Sequence, residues 1–341
     1  MPPSSRKRIF VTRRIADAAL RRLAESARVD LWDNEIAPPH EELLTRAASA
    51  DAVISMVSDR FDAVTIAALP RLAVISNFAV GFDNIDLEAA TRAGICIGHT
   101  PGVLSETTAD LAFALMLAAA RRVAEGDRYV RAGRWRTWTP RLMLGRDIWG
   151  ATLGIIGWGA IGQAVARRAA GFGMRILCAA HSSSRPATAA TSTHAAPPAE
   201  QVELTRLLAE SDFISINVPL TPATHHLIGA HEFAAMKREA IVVNTSRGGV
   251  IDQEALLTAL RLERIAGAGL DVTEIEPIGG DHALLQFPNV VVTPHVGSAS
   301  HATRLRMAEL AADNILDVFA GKLPRCCANP SVAMRQPAAS Q

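Results

Sequence analysis

Short apolar runs rich in β-branched residues alternate with stretches of helical period along most of the chain. Over the first hundred residues the runs RIFVT, VDLW, AVISMVS, LAVIS and ICIG recur, and the segment IADAALRRLAES between the first two has apolar positions every three or four residues. Strands joined to helices by short connections predict a parallel sheet with helices on both faces. After Thr100 the pattern changes. Pro101 and Gly102 break the chain, Ser105 is placed to N-cap, Glu106 falls in the first turn, and an apolar helix runs on to Arg121. This reads as a domain junction.

From Ala151 a second alternating series begins: strand TLGII, a helix to Ala170, strand MRILC, helix QVELTRLLAES, strand DFISINV, helix HEFAAMK, strand AIVVNT, helix DQEALLTAL, then strands GAGLD and VVVT. It predicts a doubly wound α/β domain. Residues 121–149 are less regular and carry eight arginines and three of the five tryptophans, Trp135, Trp138 and Trp149. Glu125, Asp127 and Asp147 interrupt that basic stretch, so an arm packed on a partner subunit fits it better than a nucleic-acid surface. Residues 182–199 (SSSRPATAATSTHAAPPA) have few bulky apolar side chains and read as a surface loop. A last helix is expected from about Ala299 to Ala320, with a frayed tail beyond Pro330.

At 341 residues and 36.3 kDa the chain exceeds what one core organises, so composition agrees with two domains. Apolar residues make up 49% and charged residues 20%, and 35 Lys+Arg against 34 Asp+Glu leave a net charge of +1. That balance excludes a dedicated nucleic-acid or anionic-membrane binder. Cys96, Cys178, Cys326 and Cys327 have neither CxxC spacing nor a disulfide framework. The longest apolar run, Leu111 to Ala120, falls short of the roughly 20 residues that span a bilayer. The N-terminal segment has no apolar signal core, so a cytoplasmic chain is expected.

The chemistry concentrates in the second series. Gly157, Gly159 and Gly162 form GWGAIG directly after the strand TLGII and open a helix, with Ala160 and Ile161 in its first turn. The first glycine permits a tight turn, the second lets backbone approach a pyrophosphate, and the third brings helix close to strand, while helix-terminal N–H groups hold the anion. An acid at the end of the next strand would bind the ribose hydroxyls of NAD, yet no Asp or Glu occurs from residue 148 to 199. His181, Ser182 and Arg185 stand there instead and suit a 2′-phosphate, so NADPH is expected over NADH. Three polar residues then fall just past strand ends, on the rim where doubly wound sheets bind ligands: Arg247 in NTSRGG, Asp271 with Glu276 in DVTEIEP, and His295 after VVVTP. Singly, each has a bland reading as a turn arginine, a surface acid or a backbone-satisfied histidine; together they suggest a site. His225 and His226 are adjacent and poorly arranged to chelate one ion, so no metal is expected.

Several words then occur in one order across nearly the whole chain: AVGFDNID (79–86), TPGVLSETTADLAFALMLAAARR (100–122), LGIIGWGAIGQAVARR (153–168), SDFISINVPLTPATHHLIG (211–229), MKREAIVVNTSRGGVID (236–252), AGLDVTEIEP (268–277) and NVVVTPHVGSAS (289–300). On these the sequence resembles the D-isomer-specific 2-hydroxyacid dehydrogenases, in particular the glyoxylate/hydroxypyruvate reductase and 2-ketogluconate reductase branch. The resemblance implies an α/β protein of two doubly wound parallel-sheet domains. A flavodoxin-like substrate domain (1–102 with 298–341) is interrupted by a Rossmann dinucleotide-binding domain (103–297), with a dimerisation arm at about 121–149.

By the same resemblance Arg247, Glu276 and His295 are catalytic. Arg247 clamps the carboxylate of a 2-keto acid and polarises its ketone, His295 protonates the developing alkoxide, and Glu276 orients the ring and favours its charged form. Backbone N–H groups of Val80 and Gly81 would receive the substrate carboxylate and Asp271 the nicotinamide carboxamide. Thr108, Val218, Pro219, Thr245 and Ser246 would line the cofactor channel. Trp138 resembles an arm tryptophan that in some relatives reaches the neighbouring subunit's substrate pocket. Ser246 and Thr273 stand where Ala and Phe are more usual. The implied activity is NADPH-preferring reduction of glyoxylate, hydroxypyruvate or 2-ketogluconate by a homodimer, with no nucleic-acid or membrane partner. The alternatives are an NAD-dependent dehydrogenase of the phosphoglycerate type and a dinucleotide-sensing corepressor.

Overall fold

The structure is a computed structural model that describes residues 6–179 and 195–335. The chain divides into two compact units, Met1–Leu104 with Ala299–Gln341, and Ser105–Ser298.

The first unit is built on five strands, β1 (Arg8–Val11), β2 (Arg28–Leu31), β3 (Ala52–Ser55), β4 (Val74–Asn77) and β5 (Cys96–Gly98). All pair in parallel in the order β2-β1-β3-β4-β5, the flavodoxin-like order of a doubly wound sheet. Every residue of β3 and β4 is buried, as a sheet covered on both faces requires, whereas β2, with Arg28 and Asp30, takes the edge. Four helices follow the strands: α1 (Asp17–Ser26), α2 (His40–Ala48), α3 (Ala63–Ala67) and α4 (Leu87–Arg92). Asp62 and Asp86 cap the last two by accepting the N–H of Thr65 and Ala89. Phe10, Phe61, Leu69, Leu72, Ile75 and Ile97 fill one side of the sheet, and each such burial contributes about 1.5–3 kcal/mol.

The chain returns to this unit through its last helix, His301–Phe319, which packs on β3, β4, β5 and α1. Asn314 on that helix is fully buried; it donates to the His99 carbonyl at 3.0 Å and accepts the Cys326 N–H at 3.1 Å. A Cβ on Gly98 would lie 2.8 Å from the Asn314 side chain, so only glycine fits at that point of β5.

The second unit holds seven parallel strands, β6 (Thr152–Ile156), β7 (Arg175–Ala179), β8 (Glu200–Gln201), β9 (Phe213–Ile216), β10 (Ile241–Asn244), β11 (Gly267–Leu270) and β12 (Val290–Val292). Their order is β12-β11-β10-β9-β6-β7-β8, which reverses direction beside β6. Such a reversal opens a crevice at the carboxyl ends of the strands. The helices are α5 (Ser105–Ala120), α6 (Val123–Arg131), α7 (Ala160–Gly171), α8 (Leu204–Glu210), α9 (Ala230–Ala235) and α10 (Gln253–Arg261). Helix α5 is apolar nearly all round and sits close on the sheet, where a Cβ on Gly269 would approach that of Leu115 to 2.9 Å. Its exposed end is tied to α7 by Glu106 and Asp110, which take Arg168 at 2.9 and 2.7 Å.

Two local readings differ. The helix expected over QVELTRLLAES starts only at Leu204, because Glu200 and Gln201 pair with Leu177 and Cys178 as an edge strand and the Val202 N–H continues to the Cys178 carbonyl. The irregular arm contains helix α6, supported by the Arg122–Glu125 and Asp127–Arg131 pairs three and four residues apart.

Candidate active site

Strand β6 leads into the glycine turn. Gly157 has φ +96°, and a Cβ there would lie 2.7 Å from the Asn217 carbonyl, so a side chain is excluded on both counts. Gly162 packs directly on the Gly157 carbonyl. Gly159 differs: among the described residues nothing lies within 4 Å of its would-be Cβ, and as N-cap of α7 it offers the N–H groups of Ala160 and Ile161 no side-chain acceptor. Gly157 and Gly162 thus meet the steric demands that the spacing implied for the first and third glycines, and the position of Gly159 stays open among the described residues. Two buried polar atoms near strand ends, Asn217 Oδ1 past β9 and Thr245 Oγ1 past β10, make no hydrogen bond among the described residues. An open glycine cradle, unclaimed helix N–H groups and orphaned rim atoms fit an extended phosphate-bearing ligand such as a dinucleotide. Val218 is half-buried and Pro219 exposed, next along the β9 rim, and Thr108 of α5 is buried beside Gly297. His181, Ser182 and Arg185 lie outside the described residues.

On the same unit the histidine and the acid meet. His295 Nδ1 donates to Glu276 Oε2 at 2.8 Å, and Glu276 Oε1 accepts the Thr273 N–H at 3.2 Å. A carboxylate only accepts, so the Nδ1 side of the ring carries a proton in this contact. Burial pushes the Glu276 carboxyl up, but the His295 hydrogen bond and charge, the Thr273 N–H and the Arg247 charge outweigh it and hold the group below its ordinary range. Arg247 follows β10, heads a short 3-10 turn (Gly248–Val250) and donates from Nη1 to the Ser246 carbonyl at 2.9 Å.

The supporting residues explain why these side chains sit where they do. His295 has φ +54°, a left-handed conformation uncommon for a non-glycine residue, and its N–H donates to the Asp271 carbonyl at 2.9 Å. The Asp271 side chain, 1% exposed, accepts the Thr293 hydroxyl at 2.6 Å, the Val296 N–H at 2.9 Å and the Gly297 N–H at 2.7 Å. It thus binds the turn on both sides of His295. Asn244 does the same for Arg247: its Oδ1 accepts the Ser246 N–H and hydroxyl at 3.0 and 2.8 Å, and its amide donates to the Arg247 carbonyl at 2.9 Å. Sequence reading missed Asn244, Thr293 and the Thr273 N–H; their signal, a polar residue at or near a buried strand end, was too common to single them out.

In the first unit, Val80 and Gly81 follow β4 and are half-buried. Trp138 is 76% exposed on the arm, as are Trp135 (60%) and Trp149 (75%). The adjacent histidines come together with Glu274, all three ligand atoms lying within 4.8 Å of one another. The His225 and His226 rings are stacked, however, 3.9 Å between centroids and 23° apart in plane, and His226 Nε2 lies 2.8 Å from Glu274 Oε1. Nearly parallel rings direct their lone pairs along nearly parallel planes, so the cluster is a hydrogen-bonded stack across two loops.

Residues 113–297 match the family described as D-isomer specific 2-hydroxyacid dehydrogenase, NAD binding domain. The chain is 50% identical to a glyoxylate reductase of Korarchaeum cryptofilum over 331 residues, 97% of this chain and 98% of that one. A protein of Thermus thermophilus superposes with a TM-score of 0.86 at 46% identity, covering 94% of this chain and 99% of the other. An NADPH-dependent glyoxylate/hydroxypyruvate reductase of Sinorhizobium meliloti, solved with NADP and malonate, gives 0.82 at 30% identity, covering 98% and 100%.

Proposed function

The chain belongs to the D-isomer-specific 2-hydroxyacid dehydrogenase family, an NAD(P)-dependent oxidoreductase of small 2-keto acids, and from that premise we propose that it reduces glyoxylate and hydroxypyruvate, and also 2-ketogluconate, preferring NADPH. The observation that carries the chemistry is the His295–Glu276 contact at 2.8 Å, on the unit that bears the glycine turn. The reduced nicotinamide, when bound, supplies a hydride to the keto carbon. Arg247 binds the carboxylate and draws electron density toward the ketone oxygen. His295, with a proton on each ring nitrogen and oriented through Nδ1, gives the Nε2 proton to the alkoxide; Glu276, accepting from Nδ1 throughout, stabilises the charged ring and then holds it as the Nδ1–H tautomer.

Gly157, Gly159, Ala160, Ile161 and Gly162 would hold the pyrophosphate, and Thr108, Val218, Pro219, Thr245, Ser246 and Asp271 the nicotinamide half. Asp271 has three donors already, leaving room for one more at most, which a carboxamide N–H would fill. The NADPH preference rests on the absence of any acid from residue 148 to 199, with His181, Ser182 and Arg185 as the 2′-phosphate contacts. The exposed tryptophans support a homodimer joined through the arm, with Trp138 reaching the partner's substrate site. Residues 1–102 with 298–341 would be the substrate domain and 103–297 the cofactor domain.

Catalytic efficiency with NADPH and NADH on the three keto acids tests this reading, together with His295→Ala, in which turnover should fall roughly 10²-fold or more with little change in dinucleotide affinity. Near-normal turnover in that variant removes His295 from the mechanism, and a clear NADH preference overturns the cofactor assignment. Tight dinucleotide binding without reduction of any keto acid would favour the sensor. Light scattering coupled to gel filtration reports the oligomer.

A further inference from the structure

We propose that His99 is a positioning residue for substrate: by holding the Val80 carbonyl it fixes the Val80–Gly81 peptide, so that the Gly81 N–H, beside that of Val80, is presented to the keto acid's carboxylate. The inference rests on the reading above, in which these two N–H groups receive the carboxylate. His99 lies just beyond β5 and Val80 just beyond the adjacent β4, at the carboxyl ends where ligands of doubly wound sheets bind.

Three carbonyls in succession are pinned. The Ala79 carbonyl accepts the Thr100 N–H at 2.7 Å, the Val80 carbonyl accepts from His99 Nδ1 at 2.9 Å, and the Gly81 carbonyl accepts from the Asn77 amide at 2.9 Å. In a trans peptide the C=O of one residue and the N–H of the next point in opposite directions. Because the Ala79 and Val80 carbonyls both turn toward residues 99–100, the N–H groups of Val80 and Gly81 both turn away from that segment. Neither makes a hydrogen bond within the chain among the described residues. Successive backbone N–H groups on one side form an anion-binding concavity, and a carboxylate has an oxygen for each.

The ring is held for this task. Its backbone N–H donates to the Cys326 carbonyl at 3.0 Å, and its carbonyl takes the Asn314 amide at 3.0 Å. Phe82 meets the imidazole edge to face, with centroids 5.4 Å apart at 82°. A carbonyl only accepts, so His99 carries its proton on Nδ1. Burial lowers the His99 pKa, against a partial upward pull from the Val80 carbonyl, which keeps the ring neutral and in this one tautomer.

The test separates the two ring nitrogens. Asn places an amide N–H where Nδ1 stands, whereas the longer Gln places its amide nearer Nε2. With saturating dinucleotide, His99→Gln should raise KM for glyoxylate and hydroxypyruvate about tenfold, with kcat and dinucleotide Kd nearly unchanged, and His99→Asn should restore KM to within about twofold of the parent. Equal KM values in the two variants, or a loss confined to kcat or to dinucleotide binding, overturn the assignment. Titrating the wild-type chain with oxalate gives a second measurement that needs no variant: the Val80 and Gly81 amide resonances should shift, and if they stay put the proposal falls even where His99→Gln does not fold. A parent that reduces neither keto acid defeats the functional reading itself, which is a different outcome from an active parent indifferent to the choice of Gln or Asn.

Discussion

Replacing Asp271 by Asn changes one oxygen for an amide and should cost both stability and turnover. The buried carboxylate accepts from Thr293, Val296 and Gly297 at 2.6, 2.9 and 2.7 Å, and the Gly297 N–H faces one oxygen while the other two donors share its mate. Whichever way an Asn side chain is turned, its NH₂ opposes a backbone N–H. The change thus removes at least one charge-assisted hydrogen bond and strands a buried donor, together about 2–4 kcal/mol. For a unit of this size that corresponds to a fall in Tm of about 5–15 °C. The same bonds hold His295 at φ +54°, so turnover should drop roughly 10²-fold as the imidazole loses its alignment. Thr293→Val provides the graded comparison: it removes one hydroxyl, spares both N–H contacts, and should cost only about 1 kcal/mol. Calorimetric melts and steady-state kinetics on both variants, with dinucleotide Kd measured separately, check the argument. An Asp271→Asn protein that melts and turns over like its parent refutes it.

The glycine turn predicts a separation of fold from binding. Gly159→Val meets open space at φ −79°, so it should melt like the parent yet bind dinucleotide at least about tenfold more weakly, whereas Gly162→Val must displace the Gly157 carbonyl and should melt lower. A Gly159→Val protein with normal affinity would remove this turn from the cofactor site. Acid stability follows from groups that hold different proton affinities in the two states. The unfolded chain protonates His99 at its ordinary value of 6.5 and the folded chain only lower, so this contribution is complete above pH 6.5 and disappears as pH falls through the folded value. Glu276, also depressed, contributes above its ordinary 4.5 and is lost below it. Tm should therefore slip first between neutrality and pH 5 and fall more steeply in stronger acid, and His99→Asn should flatten the first step; an identical profile in that variant would show the ring to be indifferent. Finally, Asn244→Ala should raise KM for keto acids more than it affects dinucleotide Kd, because it frees the turn that aims Arg247.

Hydrophobic period and punctuation determined much of this protein without coordinates. The apolar runs that became β3, β4, β9 and β10 are buried along their whole length, and a strand buried on both faces leaves little choice but a parallel sheet between helices. The tight turn at Gly157 and the close helix packing at Gly162 could be read from spacing alone, since both are local steric facts. Arg247, Glu276 and His295 were legible as residues past strand ends and through the family words around them. The neighbours of those residues were not. That Asn244 grips the Arg247 turn, that Asp271 spans both sides of His295, and that His99 reaches a carbonyl 19 residues earlier depend on which strands lie side by side and on backbone orientation at their ends. The two-residue strand β8 was likewise out of reach, because a polar pair becomes an edge strand only when a neighbouring strand, here β7, offers it a register. Local sequence sets what each segment prefers; hydrogen bonds between segments distant in sequence exist only once tertiary packing has brought their ends together.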